Sequence, residues 1–409
     1  MKTRYGVSYW LDRFPSSRQP DYARHRGALT TQVAILGGGL AGCATAYVFA
    51  AAGVRVALFE ADRIAQGGTA LFPGVLRLEP AVSFRSLEDR HGRRASRHLW
   101  RTFRRAGLDF AATLRRLKIR GEMVTDAALR VGLDADDEKA LRRELQAMRA
   151  SGADGTWLSP AQVRRETGLE TTGGLRSAGD GYVDPYRVAI GLAAAAAGRR
   201  AAIFERTSIR KVKTRSRGLE IDTDGGTVKA ETLIVASDRP PAGFAPLGRH
   251  FRRLDSYCVL TAPVPSFVRR GFGRSHALVL DQQDPRHVLR RTSDERVLFM
   301  GADQPRVAER SRGKVLIQRT GQLMYELSKL YPAISGIQPE YGWDVPVSLT
   351  ADGFPCAGPH RNYPHHLFAM GTGHNGIAAA YLSARVLLRQ YLGQPEKGDE
   401  LFGFGRILG

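Results

Sequence analysis

Cysteine is scarce: Cys43, Cys258 and Cys356 are the only three in 409 residues, and their spacings are unrelated. That excludes a disulfide framework and a cysteine-based metal set, so no metal is expected, and it points to a reducing compartment. The opening MKTRYGVSYWLDRFPSSRQP lacks the apolar core of a secretory signal. The longest small-residue apolar run, VAIGLAAAAAGRRAAIF, is interrupted by two arginines and is too short to span a bilayer. These absences together set the expectation of a soluble cytoplasmic protein. Internal repeats, low-complexity linkers and lysine blocks are also missing.

Acidic residues are the scarcer charge, 40 against 61 Lys and Arg, giving a net charge of +21. Such an excess suits attraction of an acidic partner, nucleic acid included, and HGRRASRHLWRTFRRAGLDFAATLRRLKIR is basic with interleaved aromatics. Leu99, Phe103, Leu108, Phe110, Leu114 and Leu117 recur there at helical spacings, however. An amphipathic helix with an arginine-rich solvated face is the more economical reading. At 409 residues the chain exceeds one ordinary domain, and two intimately joined domains are expected.

What is present begins with TQVAILGGGLAGCATAYVFAAAGVRVALFEA, Thr31 to Ala61. It reads as strand, glycine turn, small-residue helix and second strand. Gly37, Gly39 and Gly42 fit the G-x-G-x-x-G spacing that permits a tight turn, close approach of backbone to a pyrophosphate, and close helix–strand packing. Leu40 and Ala41 open a helix whose free N–H groups favour phosphate. Glu60 ends the second strand, where a carboxylate bonds a ribose hydroxyl. An acid there disfavours a 2′-phosphate and leaves NAD and FAD open.

Further along, helices are expected over Leu99 to Leu117 and Asp136 to Ala150, and from the Ser159-Pro160 cap. DGYVDPYRVAIGLAAAAAG reads as a turn entering a helix. AAIFERTSIRKVKT, GLEIDTDGGTVKA and TLIVASD read as strands, with a hairpin turn at Asp224-Gly225. Residues 252–299 are strand-rich, and a helix is expected over Lys314 to Leu330. HLFAMGTGHNGIAAAYLSARVLLRQYL then repeats the opening logic of strand, glycine turn and small-residue helix.

Two glycine-rich helix starts at opposite ends of the chain do not suit an ordinary NAD dehydrogenase. The order GGGLAGCATAY with Glu60, GDGYVDPYRVAIGLAAAA, IFERTSIRKV, TLIVAS, LTADGFPCAG and AMGTGHNGIAAA resembles the D-amino-acid oxidase-like (DAO) family of FAD-dependent oxidoreductases. SYWLDRFP is similar to the branch containing gamma-glutamylputrescine oxidase. The resemblance implies an α/β fold in which a Rossmann-like FAD-binding domain is interleaved with an α+β substrate domain. It implies an arm over 1–29, an FAD-binding domain from 30–85, 158–244 and 344–395, a substrate domain from 86–157 and 245–343, and a tail over 396–409. It also implies non-covalent FAD. Besides the first glycine turn, Ala61, Gly68, Thr69, the backbone at Ile209, Gly371, Gly373, Asn375, Gly376 and Ile377 are expected to contact it.

The implied reaction is oxidation of a C–N bond of an amine or amino acid by hydride transfer to flavin N5, followed by imine hydrolysis. Amino-acid-oxidising members place a carboxylate-clamping arginine just before T-x-D-G-x-P, where this chain has Val347. An amine, or a substrate whose carboxylate is remote from the reacting carbon, is therefore expected, with Arg290 or Arg291 the alternative clamp. Tyr257, Tyr341, Trp343 and His374 are candidate pocket walls. The bulky Leu71-Phe72-Pro73 replaces small polar residues of many relatives and is expected to shape the space over the flavin ring. The alternatives are an RNA-directed flavoprotein acting on a modified tRNA base, which suits the charge, and a catalytically quiet FAD-binding subunit.

Overall fold

The computed structural model describes residues 2–125, 128–273, 276–283 and 286–407. The strand Gly27–Leu36 runs parallel to Val56–Phe59 on one side and Gly226–Val235 on the other. Val56–Phe59 continues in parallel to Ala202–Phe204, and Tyr363–Met370 adds beyond Gly226–Val235. Val33, Ala34 and Ile35 are wholly buried, as the unbroken apolar run requires of a sheet covered on both faces. The hairpin of Ile209–Arg215, Gly218–Thr223 and Gly226–Val235 extends the edge, turning at Asp224-Gly225 as expected.

Three helices rich in alanine stack at this sheet: Leu40–Ala51, Pro185–Ala197 and Gly376–Tyr391, the first packed against both others. Small residues permit that closeness, since each backbone lies near its neighbour. The cap of Pro185–Ala197 is Asp184, whose carboxylate accepts from Arg187 N–H. Ser159 and Gln162 form a reciprocal capping box at the start of Pro160–Thr167.

A second sheet, nine-stranded among the described residues, runs in the order Arg4–Tyr5, Pro339–Leu349, Arg252–Thr261, Val297–Pro305, Val288–Arg291, Leu278–Leu280, Ala128–Gly132, Gly173–Ser177 and Gly155–Leu158. The helix Glu309–Leu330 packs Leu316, Leu323 and Leu327 against it. This sheet gathers more of the chain than the sequence suggests. Gly173–Ser177 lies in a range expected for the FAD-binding side, yet pairs with Ala128–Gly132. Pro339–Leu349 crosses the expected boundary at 343/344 without a break.

The expected arm and tail are both built into the body. Arg4–Tyr5 pairs with Tyr341 and Gly342, and Tyr9 and Trp10 are buried. Arg406 forks onto Asp352 at 2.7 and 3.1 Å, with Phe402 and Phe404 buried beside it. The long basic helix is Phe84–Arg116, capped by Ser83 and broken at Gly92, where φ is 73°. It starts a full segment before Leu99 because Ser83 supplies a cap that the apolar spacing does not reveal. Leu99, Phe103, Phe110 and Leu114 face the core as expected, whereas Leu108 is exposed.

Candidate active site

Both glycine turns open on one cavity. Its walls include Gly37, Gly39, Leu40, Ala41 and Glu60 at one end, and Thr372, Gly373, Gly376, Ile377 and Ala380 at the other. Two helix N-termini therefore meet the same space. Gly37 has φ +105°, and a Cβ there would stand 2.5 Å from Ala236 O. A Cβ on Gly42 would stand 1.8 Å from Gly37 O, so this glycine serves close packing behind the cavity rather than its lining. Glu60 accepts Gly38 N–H at 2.6 Å and Asp62 N–H at 2.9 Å, tying the turn to the end of the second strand. Thr69 Oγ1 accepts Leu40 N–H at 2.8 Å, and Gly68 lies beside it in the wall. No Lys, Arg or His lines this cavity among the described residues, despite the chain's charge. An anion bound here meets backbone N–H groups instead.

A second cavity of about 560 Å³ adjoins the first. Three segments each face both: Phe72 lines the first and Pro73 the second, Gly373 the first and His374 the second, Val347 the first and Leu349 the second. Four successive carbonyls hold the Phe72 partition. Ser8 donates to Ala70 O, Trp343 to Leu71 O at 2.8 Å, Trp10 to Phe72 O at 3.0 Å, and Arg290 to Pro73 O at 3.3 Å. The N-terminal SYW thus acts at a distance in sequence of some sixty residues. In the second cavity, His374 Nε2 is 3.0 Å from Asp303, which also accepts from Ser256 Oγ. Burial alone would raise the Asp303 pKa, but the His374 hydrogen bond and charge hold it below the usual carboxylate range. Arg77, Arg252, Arg253 and Arg286 supply the cations.

Against this geometry stands a family match. The model of the DAO family, described as FAD dependent oxidoreductase, matches residues 32–390. The chain belongs to the DAO family. It is therefore an FAD-dependent oxidoreductase, and FAD is its cofactor. It is 27% identical to a glycine oxidase of Geobacillus kaustophilus (strain HTA426), over 87% of this chain and 91% of that protein. It is 22% identical to gamma-glutamylputrescine oxidoreductase of Escherichia coli (strain K12), over 91% of this chain and 86% of that one. The crystal structure of the Geobacillus kaustophilus glycine oxidase superposes with a TM-score of 0.75 at 24% identity, covering 93% of this chain and all (100%) of that chain. An L-amino acid deaminase from Proteus vulgaris, with its specific insertion deleted, gives 0.78 at 16% identity, covering 98% and 100%.

The residues of the first cavity fit FAD. Glycine backbone and two helix ends suit its phosphates, Glu60 suits a ribose, and apolar Phe72, Pro346, Val347 and Ala380 suit a flat ring system. Of the other contacts expected in this DAO-family chain, Asn375 lines the second cavity and donates to Glu79 O. Gly371 lies outside both linings, and its φ of +66° makes the turn ahead of the helix. Ala61 is exposed, and Ile209 stands at the start of its strand opposite Thr223, outside the cavity lining.

Several expected pocket walls are placed in the core instead. Tyr257 accepts from Gln304, Tyr341 donates to Asp12, and Trp343 holds the Leu71 carbonyl; none lines either cavity. Arg290 is also outside both, stacked 4.1 Å from the Tyr182 ring and 5.0 Å from the Trp10 ring. It is a fastening of the partition, because its Nη1 donates to Pro73 O and Val183 O. Tyr341 and Trp343 share the strand face of Val347 and Leu349, and Arg290 that of Val288, so position along the strand rather than facing separates core from cavity. Sequence reasoning missed Asp303, the arginines at 77, 252, 253 and 286, and Asp238. The last accepts Thr372 N–H and Ser348 N–H at 3.0 Å each, joining two walls of the first cavity. Its place directly after TLIVAS was the available signal.

Behind Arg77 lies a buried ionic chain. Arg77 reaches Glu79 at 3.2 Å and Asp180 at 3.6 Å, and Arg130 joins Glu79 at 3.2 Å to Glu144 at 3.7 Å. Desolvation, then the Glu79 charge, pushes the Asp180 pKa up to about 7, while Arg130 and Arg77 keep Glu79 low against its own burial. A folded pKa raised above the unfolded value near 4 gives stability that is full below about pH 4 and lost as pH rises toward 7. Asp180→Asn retains an acceptor for Leu78 N–H and is expected to flatten that part of the melting-temperature profile. An unchanged slope between about pH 4 and 7 would show Asp180 ionised throughout.

Proposed function

We propose that this enzyme oxidises the C–N bond of a small amine whose carboxylate is remote from the reacting carbon. One observation carries the reading. The second cavity meets the flavin-side loop at His374 and Asn375, yet Arg252, Arg253 and Arg286 line it and form no ion pair among the described residues. Its volume suits a small ligand. FAD, when bound, supplies the hydride acceptor at N5.

The chain's own residues orient the donor and manage its proton. An ammonium must become neutral before its carbon can release hydride. With Nε2 held by Asp303, Nδ1 is the atom of the His374 ring that can take that proton. Asp303 stays ionised and stabilises the resulting imidazolium. The arginines hold the distal carboxylate, and Phe72 and Pro73 set the depth at which the chain of the substrate lies. The imine is hydrolysed by water to a carbonyl compound. Val347 accords with a remote carboxylate, because it faces the cation-free cavity.

Anaerobic flavin reduction tests the proposal with omega-amino acids, their decarboxylated amines and the matching α-amino acids. The omega-amino acids are expected to reduce the flavin most efficiently. Arg252→Ala with Arg253→Ala should raise their half-saturating concentration about tenfold or more, with little change in the limiting rate. Faster reduction by uncharged amines, in wild type, would overturn the assignment.

A further inference from the structure

The second cavity does not end at its arginines. Arg77, Ala81, Gln282 and Arg286 also line a further compartment of about 300 Å³, whose remaining walls come from Val82, Ser83 and the first turns of Phe84–Arg116, from Arg130 on Ala128–Gly132, and from one face of Ala135–Ala150. The compartment has five arginines, at 77, 85, 130, 143 and 286, against Asp89 and Glu144. Glu144 is already engaged, by Phe84 N–H at 2.8 Å and by Arg130. Arg77 and Arg130 are likewise engaged with buried acids. Arg85, Arg143 and Arg286 form no ion pair among the described residues, and all three are exposed to the compartment or its mouth.

Two physical signs set this apart from an ordinary basic surface. Arg85 occupies the first turn of the helical segment ahead of the break at Gly92, a turn with no acid, where the helix dipole disfavours a cation. Arg286, though its side chain is exposed, stands among other cations: desolvation, then the Arg77 and Arg130 charges, bring its pKa down to about 10. Cations gathered against both effects lower their mutual repulsion when an anion enters among them.

We infer that this compartment is a subsite for a second carboxylate, so that the preferred substrate is an elongated amine carrying two acidic groups. The inference rests on the reading of the second cavity as the substrate site. One carboxylate lies with Arg252 and Arg253, and the other lies between Arg85 and Arg143, with Arg286 at the junction of the two spaces. Nothing is transferred at the subsite; it binds and aligns.

The test uses the FAD-loaded protein and substrate-free probes, titrated by the perturbation of flavin absorbance. Butyrate and hexanoate are compared with glutarate, pimelate and azelate. At least one dicarboxylate is expected to bind about tenfold more tightly than the monocarboxylates, the worth of one added charge-assisted contact. In Arg85→Ala/Arg143→Ala, a variant at two exposed positions, that advantage should vanish while the monocarboxylate dissociation constants stay within about twofold. Equal binding of mono- and dicarboxylates at every length would overturn the subsite. So would a dicarboxylate advantage that survives the double variant. If instead no carboxylate perturbs the flavin and no omega-amino acid reduces it, the substrate-site reading itself falls, and the inference with it.

Discussion

Gly39→Val is expected to give a folded, colourless protein. The residue caps the Leu40–Ala51 helix with extended backbone, φ −71° and ψ −176°, which valine adopts without strain. A Cβ there has one close neighbour in the protein, Thr69 Oγ1 at 3.2 Å, a side chain that must give by a few tenths of an ångström. The branched side chain enters the cavity where backbone must approach phosphate. Flavin content after gel filtration should fall from stoichiometric to near zero, with the circular dichroism of apo wild type retained. Gly42→Ala is the contrasting change, because its Cβ would stand 1.8 Å from Gly37 O and disrupts the turn itself. Wild-type protein should release intact FAD on denaturation. Stoichiometric flavin in Gly39→Val would remove this turn from the cofactor site.

The second large effect is on stability. Arg290→Ala removes a side chain that is 1% exposed, leaves Pro73 O and Val183 O without their donor, and opens a void between Trp10 and Tyr182. Against this stands the relief of a desolvated guanidinium, whose pKa burial already lowers. The relief is the smaller quantity, since the charge is hydrogen-bonded and faces two aromatic rings. A net loss of about 3–5 kcal/mol is expected for alanine, and about half that for methionine, which keeps the volume. Chemical denaturation of the holoprotein measures it. The rival role as carboxylate clamp predicts the reverse pattern: unchanged stability with a selective loss of affinity for carboxylated substrates. That outcome would place Arg290 in the substrate pocket and reopen the assignment of the Phe72 partition.

Local signals explain what was legible without coordinates. A glycine spacing, an apolar run and a capping residue are each defined by neighbours in sequence, so the first strand–turn–helix, the capping box at Ser159 and the helix after Asp184 were readable directly. The family order of motifs then joined the two helix starts at opposite ends of the chain. Boundaries were less legible. Gly173–Ser177 changes sheets because its partner, Ala128–Gly132, is supplied by a distant segment, and short strands take their sheet from pairing rather than propensity.

By itself, then, the sequence determined the strand, glycine turn and helix around Gly37 to Gly42, since Gly37 takes a φ of +105° and Gly42 leaves no room for a Cβ, and it marked the acid at Glu60 and the second glycine-rich helix start. Tertiary structure alone decided which side chains line the second cavity and the compartment beyond it. Asp303 and His374 come from separate elements, and Arg252, Arg286 and Arg85 from three more. Tyr257, Tyr341, Trp343 and Arg290 had the right chemistry for a pocket, but their places along the strands put them in the core, where Trp343 and Arg290 serve as hydrogen-bond donors to the partition. A charge excess spread along the chain says nothing of where it gathers; only packing the helix Phe84–Arg116 beside Ala135–Ala150 brought unpaired arginines to one cavity.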